Sequence, residues 1–442
     1  MRMSVMFKSM GRPLMLAFML VLASTVARAE FEIQDLTSPS GQSFWLVEEP
    51  SIPIVSIELG FHGGTRLDPD GKEGLGNFAM GLMNEGSGEL DAVAFSNRSD
   101  DISARIGFSV GQDATEVSGL FLVETLDEGV DLMALALSSP RFDPEPIERV
   151  RNQILSGIAQ NETDPNSIAS KTWFARAFPD HPYGRTSDGT VETINAITLE
   201  DLQAAHKQLL TRADLKIAIV GAVDATRAGE IVDRLIADLP EGEVAPVALA
   251  ETLPPPGVHV VEQDVPQSVA IFGHTGLMRD DPDFIPAFVM NYVLGGGSFS
   301  SRLMEEVREK RGLAYGVYSY LSTRDGAGLY MGSVSTANER IAESIDVIKA
   351  EWARLATEGL TEEDLQKAKT YLTGSFPLRF DSNSKIANYL LFAQMEGLGL
   401  EYINTRNGLI EAVTLEDISR VAARVLKPEA LSFVVVGKPV GL

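Results

Sequence analysis

The chain resembles itself. Ile197 to Val223, I-T-L-E-D-L-Q-A-A-H-K-Q-L-L-T-R-A-D-L-K-I-A-I-V-G-A-V, lies without gaps on Val413 to Pro439, V-T-L-E-D-I-S-R-V-A-A-R-V-L-K-P-E-A-L-S-F-V-V-V-G-K-P. Thr198, Leu199, Glu200, Asp201, Val220 and Gly221 recur 216 positions later as Thr414, Leu415, Glu416, Asp417, Val436 and Gly437. A weaker match at an offset of 218 pairs residues 149–154 with 367–372, and Ile168-Ala169 with Ile386-Ala387. Solenoid repeats have periods of roughly 20 to 50 residues, so a repeat this long is a duplicated domain. The chain therefore has to fold as two like halves, which should pack face to face. Between them, Leu239 to Gly257 is proline-rich and reads as an extended linker. That divides the chain into residues 30–238, a linker over 239–257, and residues 258–442.

Within the first half, Ile52 to Phe61 reads as a strong strand, followed by the loop G-G-T-R-L-D-P-D-G-K-E-G. A helix comes next, because Leu75, Phe78, Ala79, Leu82 and Met83 recur at i, i+3, i+4, i+7 and i+8. A strand pair over 103–123 leads to a helix over 126–137, and Phe142-Asp143-Pro144 opens another long helix.

The densest local pattern lies in the second half, at Leu294 to Tyr320 (L-G-G-G-S-F-S-S-R-L-M-E-E-V-R-E-K-R-G-L-A-Y-G-V-Y-S-Y). Gly295, Gly296 and Gly297 lack Cβ atoms, so this loop is free to take left-handed angles or to lie against a ligand's main chain. Ser298 offers an N-cap. Phe299, Leu303 and Val307 recur at helical spacing through Lys310, and Gly312 ends the helix. Leu313 to Tyr320 reads as a strand with Tyr315 and Val317 on one face. The unit places Arg308 in a last helical turn and Tyr315 on the next strand, seven residues on.

Arg2, Lys8 and Arg12, the apolar run Leu14 to Ala23, and Ala27-Arg28-Ala29 together read as a secretory signal peptide over 1–29. The apolar run is about half the roughly 20 residues a membrane span needs. There is no cysteine, which excludes disulfides, thiolate zinc sites and cysteine nucleophiles. Export without cysteine points to a bacterial envelope and a periplasmic location. A formal net charge of −25 disfavours nucleic acid; taken as a field alone, it favours basic peptides.

Two catalytic signatures fail on context. Gly107-Phe108-Ser109-Val110-Gly111 fits the serine-hydrolase G-x-S-x-G elbow, but that elbow needs a helix directly after it, and here an alternating strand follows. The five histidines, His62, His181, His206, His259 and His274, are dispersed, and no two share a helical turn. His181 and His274 read as loop residues with local hydrogen bonds.

The ordered set of motifs carries a resemblance. G-x-R-x-D-P, G-L-x-x-F, H-P-Y-G-R at His181 to Arg185 and T-L-E-D-L in the first half, then D-D-P-D-F at Asp280 to Phe284, L-G-G-G, S-S-R-L and V-R-E-K-R-G-L-A-Y, resemble the insulinase and pitrilysin family of zinc peptidases, which includes the mitochondrial processing peptidase. The resemblance implies an α+β fold of two homologous αβ halves. In active members the first-half helix carries H-x-x-E-H, two zinc-binding histidines and a general base, with a glutamate ligand on a later helix. The matching positions here are Asn77, Met80, Gly81 and Gly157. None supplies a zinc ligand or a base, so zinc hydrolysis by this chain alone is not expected.

What matches is the pair seven residues apart. Several bacterial members resemble a split enzyme, in which one subunit carries H-x-x-E-H and the other supplies an Arg and a Tyr, here Arg308 and Tyr315. The resemblance implies no cofactor in this chain, zinc in a partner subunit, and a heterodimer acting on peptides, with Gly295 to Gly297 as peptide-binding backbone beside an exposed strand edge. A peptide-binding or assembly protein on the same scaffold, with no catalytic partner, remains the alternative.

Overall fold

The computed structural model describes residues 32–244, 246–250 and 255–442. The expected leader lies outside the described residues, as does part of the linker. No helix among the described residues is long and apolar enough to cross a membrane.

Each half is built on one sheet. In the first half the strands are β1 (Gln34–Thr37), β2 (Ser43–Glu48), β3 (Ile54–His62), β4 (Arg105–Val110), β5 (Ala114–Leu122) and β6 (Lys216–Gly221), in the order β1-β2-β6-β3-β5-β4. In the second half β7 (Gly257–Glu262), β8 (Gln267–Thr275), β9 (Ala314–Arg324), β10 (Ala327–Ala337) and β11 (Ser432–Gly437) run β7-β11-β8-β10-β9. From β2 onward the two orders are the same, and each has one parallel pair, β2 with β6 and β7 with β11. The hairpin β4–β5 holds Gly107 to Gly111 with no helix after it, which disposes of the nucleophile elbow.

The helices that bear on function are α1 (Leu75–Gly81), α2 (Pro144–Asn161), α3 (Pro165–Ala177), α4 (Leu199–Leu209), α5 (Phe284–Asn291), α6 (Ile341–Glu358), α7 (Glu362–Gly374), α8 (Asn383–Met395) and α9 (Leu415–Val425). The repeat is visible to the residue. Helices α4 and α9, and strands β6 and β11, are displaced by 216 positions, and α3 and α8 by 218. Thr198 with Asp201, and Thr414 with Asp417, form equivalent capping boxes, each satisfying two backbone N–H groups the first helical turn leaves free. Gly221 and Gly437 both have φ of +149°, and a Cβ at Gly221 would stand 2.2 Å from the Ile54 carbonyl oxygen. The V-G ending each repeat is thus a backbone requirement.

The halves exchange their cover helices. Helix α3, from the first half, lies on β8 and β11 of the second; helix α8, from the second half, lies on β3 and β6 of the first. Trp173 and Ala169 on α3 join Met331, Val434 and Val436 in one buried cluster, while Ile386, Ala387, Leu390 and Leu391 on α8 join Val47, Ala218 and Val220 in another. Each sheet therefore buries its second face only when the other half is present.

Polar contacts lock the same interface. The Tyr183 hydroxyl donates to Asp113 Oδ1 (2.7 Å) and accepts from the Gly326 N–H (2.9 Å), joining the tips of the β4–β5 and β9–β10 hairpins. The linker is pinned here: Ala250 N–H donates to the Gly326 carbonyl (2.9 Å), and His181 Nε2 is 3.1 Å from the Ala248 carbonyl oxygen. His274 departs from its reading as a loop residue. It is buried on β8, where Nε2 accepts from Trp352 Nε1 (2.9 Å).

Candidate functional site

The segment from Leu294 to Tyr320 keeps its loop, helix and strand, but three details change. The first is the helix start. Ser298 takes φ of +50° and caps nothing, and Ser298–Ser300 is a short 3-10 turn. The cap is Ser301, whose hydroxyl donates to the Ser298 carbonyl (2.9 Å) and accepts from Met304 N–H (3.4 Å). Over Met304–Glu309 the turns are wide, of the i to i+5 kind, and Lys310 N–H reaches Glu305 O (2.9 Å). The chain leaves through Gly312 at φ +59°, with Leu313 N–H on Val307 O (2.8 Å).

The second change concerns the glycines. None of the three takes a left-handed angle. Gly295 is buried, and a Cβ there would meet Ser319 Oγ at 2.2 Å and its backbone N at 2.7 Å. Asn291 Nδ2 donates to the Ser319 carbonyl (3.1 Å) beside it. At Ser319 the outer strand β9 is therefore met by the chain itself, and the open edge expected near the glycines is closed there. Gly296 is exposed, and Gly297 packs against the Tyr292 carbonyl.

The third change decides where Tyr315 points. Ala314 pairs with Thr336 and Gly316 with Ser335, so Tyr315 is the extra residue of a β-bulge. Simple alternation puts Tyr315 and Val317 on one face; the bulge separates them, leaving Tyr315 82% exposed and Val317 fully buried.

The exposed Tyr315 and the helical Arg308 meet. The Arg308 guanidinium lies 4.8 Å from the centre of the Tyr315 ring and 4.7 Å from that of Phe299, held between two aromatic faces. Its Nε lies 3.4 Å from Glu309 Oε1, and its Nη1 is buried with no hydrogen-bond partner. A buried donor without an acceptor costs about 1–3 kcal/mol. Arg308 and Tyr315 line one cavity of ≈ 770 Å³, which also takes Tyr318 and, from the first half, Asn166. Phe299, read above as part of an apolar helix face, is 65% exposed and serves the guanidinium instead. The signal was available: an aromatic between two serines, next to three glycines, has no core to enter.

In the first half, the loop ahead of α1 is organised by Asp68, whose carboxylate accepts from Gly74 N–H (2.9 Å) and Gly76 N–H (2.9 Å). Burial pushes this carboxyl up to about 6, against the pull of those backbone donors. Helix α1 packs on α2. Asn77 and Asn161, one from each helix, both donate to the Asp188 carboxylate (3.4 and 3.2 Å). Positions 77 and 81 share a face of α1, and 157 and 161 share a face of α2.

The sequence from 44 to 191 matches a family profile described as insulinase, peptidase family M16, and that from 196 to 372 one described as the peptidase M16 inactive domain. The chain belongs to the M16 peptidase family. A Helicobacter pylori protein named non-peptidase homolog YmxG is 28% identical over 373 residues, 84% of this chain and 86% of its own length. An uncharacterised zinc protease of Streptomyces coelicolor is 27% identical over 404 residues, 89% of this chain and 87% of its own. Among solved structures, the peptidase M16 inactive domain from Pseudomonas fluorescens superposes with a TM-score of 0.86 at 28% identity, covering 92% of this chain and 98% of that one.

The M16 zinc site does not fit the residues present. Asn77, Met80, Gly81 and Gly157 offer no ligand set, Met80 is buried, and a Cβ at Gly157 would meet nothing within 4 Å. Among the described residues no group of three or more His, Cys, Asp or Glu is placed to hold a metal ion. The amide–carboxylate–amide bridge through Asp188 ties together α1, α2 and the 186–190 loop beside those positions. As an inactive-type M16 chain, this protein fits a non-catalytic subunit.

Proposed function

We propose that this chain is the substrate-positioning, non-catalytic subunit of a two-component zinc peptidase of the bacterial periplasm, supplying Arg308 and Tyr315 to a zinc site on a partner that carries H-x-x-E-H. The observation that carries the reading is the Arg308 guanidinium, gripped between Phe299 and Tyr315 with Nη1 unpartnered. A guanidinium and a phenol held on one rim suit a peptide carbonyl, whose oxygen gains negative charge as water adds to the carbon. Donors already fixed in place favour that charged state over the neutral substrate. Arg308 is stacked between two rings, and the bulge turns Tyr315 out to the same rim, which lowers the ordering cost when peptide arrives.

The test is purification of the chain from its native envelope. An H-x-x-E-H chain should co-purify, and chelator-sensitive hydrolysis of unfolded peptides should need both chains. Arg308→Ala should abolish that hydrolysis without dissociating the pair. Hydrolysis unchanged by Arg308→Ala, or no co-purifying peptidase chain, would sink the reading, and the second outcome would favour a peptide-binding or assembly role.

A further inference from the structure

The cavity that holds Arg308 and Tyr315 differs in charge from the rest of this acidic molecule. Among the described residues, its wall contains two arginines, Arg308 and Arg340, and no Asp or Glu. Four other cavities of comparable size, around Tyr371, Asp188, Glu58 and Trp45, are each lined by two carboxylates beside one to three basic side chains, so none combines two arginines with a carboxylate-free wall. In a chain with 62 acidic and 37 basic residues, a basic pocket this size stands against composition. Its neutral groups mix apolar side chains, such as Val269, Leu313 and Val334, with hydrogen-bonding ones, among them Asn166, Gln267 and the Tyr318 hydroxyl.

Arg340 is placed for a separate task from Arg308. It stands just before α6, exposed, and its Nη1 donates to the Gly312 carbonyl at the turn between Arg308 and Tyr315. That contact orients the side chain while leaving its other N–H groups free for a planar, two-oxygen acceptor. The carboxylate at 3.4 Å from Arg308 is Glu309, which lies outside the cavity wall. The net charge of the whole chain acts over a distance that salt screens beyond about 8 Å. Within the cavity the two arginines decide.

Resting on the positioning role proposed for Arg308 and Tyr315, we infer that this cavity is a specificity pocket for a peptide carboxylate, with Arg340 as the residue that reads it. The carboxylate has two chemical sources, an Asp or Glu side chain or the peptide's own C-terminus. Basic peptides, favoured by the overall field, are disfavoured at this point.

Four fluorescently labelled peptides of one unstructured sequence test this on the full chain alone: an internal Glu, Gln or Lys, each C-terminally amidated, and the Gln peptide with a free C-terminus. By fluorescence anisotropy at near-physiological salt, the Glu-amide or the Gln-acid should bind on the order of tenfold more tightly than the Gln-amide, and the Lys-amide more weakly still. Whichever of the two gains identifies the source. Arg340→Glu should invert the order, and Arg340→Lys should keep it with a reduced margin. Equal affinities, a preference for Lys, or no measurable binding of any peptide overturns the inference. Hydrolysis by the reconstituted pair keeps the two ideas apart: if Arg308→Ala stops turnover while the four peptides behave alike, the positioning role stands and the pocket assignment falls.

Discussion

The Arg308 guanidinium lies 4.8 Å from the centre of the Tyr315 ring, although the residues belong to a helix and a strand separated by a reversal at Gly312. The ring holds the guanidinium and the hydroxyl is free to act, so the two roles of Tyr315 separate by mutation. Tyr315→Phe should lower kcat of the proposed two-chain peptidase by about 10²-fold, the usual loss for one oxyanion donor, with Tm unchanged. Tyr315→Ala should also release Arg308 and raise KM, because a surface cation–π contact contributes about 0.5–1 kcal/mol. Equal kcat for wild type and Tyr315→Phe would show that the ring, and not the hydroxyl, is what matters.

The lost zinc site should be restorable. Gly157 has open space for a side chain, and a Cβ at Gly81 meets only Val150 Cγ1, at 3.4 Å. Asn77→His with Gly81→His and Gly157→Glu should bind one zinc per chain by metal analysis and raise Tm in added zinc, as a site bound only in the folded state must. No zinc uptake by the folded triple variant would show that these positions do not converge.

Glu58 makes stability depend on pH. It sits on β3 under α8, 4% exposed, with Asn388 Nδ2 donating to Oε1 at 3.3 Å. Burial, and then the charge of Glu116, push its carboxyl up to about 8 from an ordinary value of 4.5. The folded chain therefore holds a proton that the unfolded chain releases. That contribution is complete below pH 4.5 and is lost as pH rises through 8. The unfolding free energy from denaturant titration should fall between pH 5 and 9 by an amount of order a few kcal/mol, and Glu58→Gln should flatten the profile and stabilise the chain most at the alkaline end. A profile identical in wild type and Glu58→Gln would remove Glu58 as the cause.

The exchanged helices should make the halves unfold together. Trp173, on α3, is fully buried against the second half, and its Nε1 donates to the Ser432 carbonyl at 3.2 Å. Trp173→Ala should cost about 3–5 kcal/mol. Calorimetry should show one transition at a lower temperature, reporting both halves. Two separated transitions in the wild-type chain would contradict the interlock.

Features that depend on neighbours along the chain were legible in the residues alone. The T-L-E-D caps, the helix faces of α1 and α2, the hairpin that excludes a serine nucleophile, and the duplication all follow from side-chain period, local hydrogen bonding and backbone allowance, which act within a few residues. The positions Asn77, Met80, Gly81 and Gly157 came from the family resemblance rather than from local pattern, and their side chains offer no zinc ligand set. Tertiary structure decided the rest. One unpaired residue at Tyr315 reverses which face it uses, and only pairing with β10 produces it. Gly295 reads as a free loop until the proximity of Ser319 shows that no Cβ fits. The exchange of α3 and α8, the burial of His274, and the meeting of Arg340 with Asn166 around one carboxylate-free cavity join residues 78 to more than 200 positions apart. No local pattern records which distant surface completes a face, because that choice is made by the apolar area buried when the two halves close.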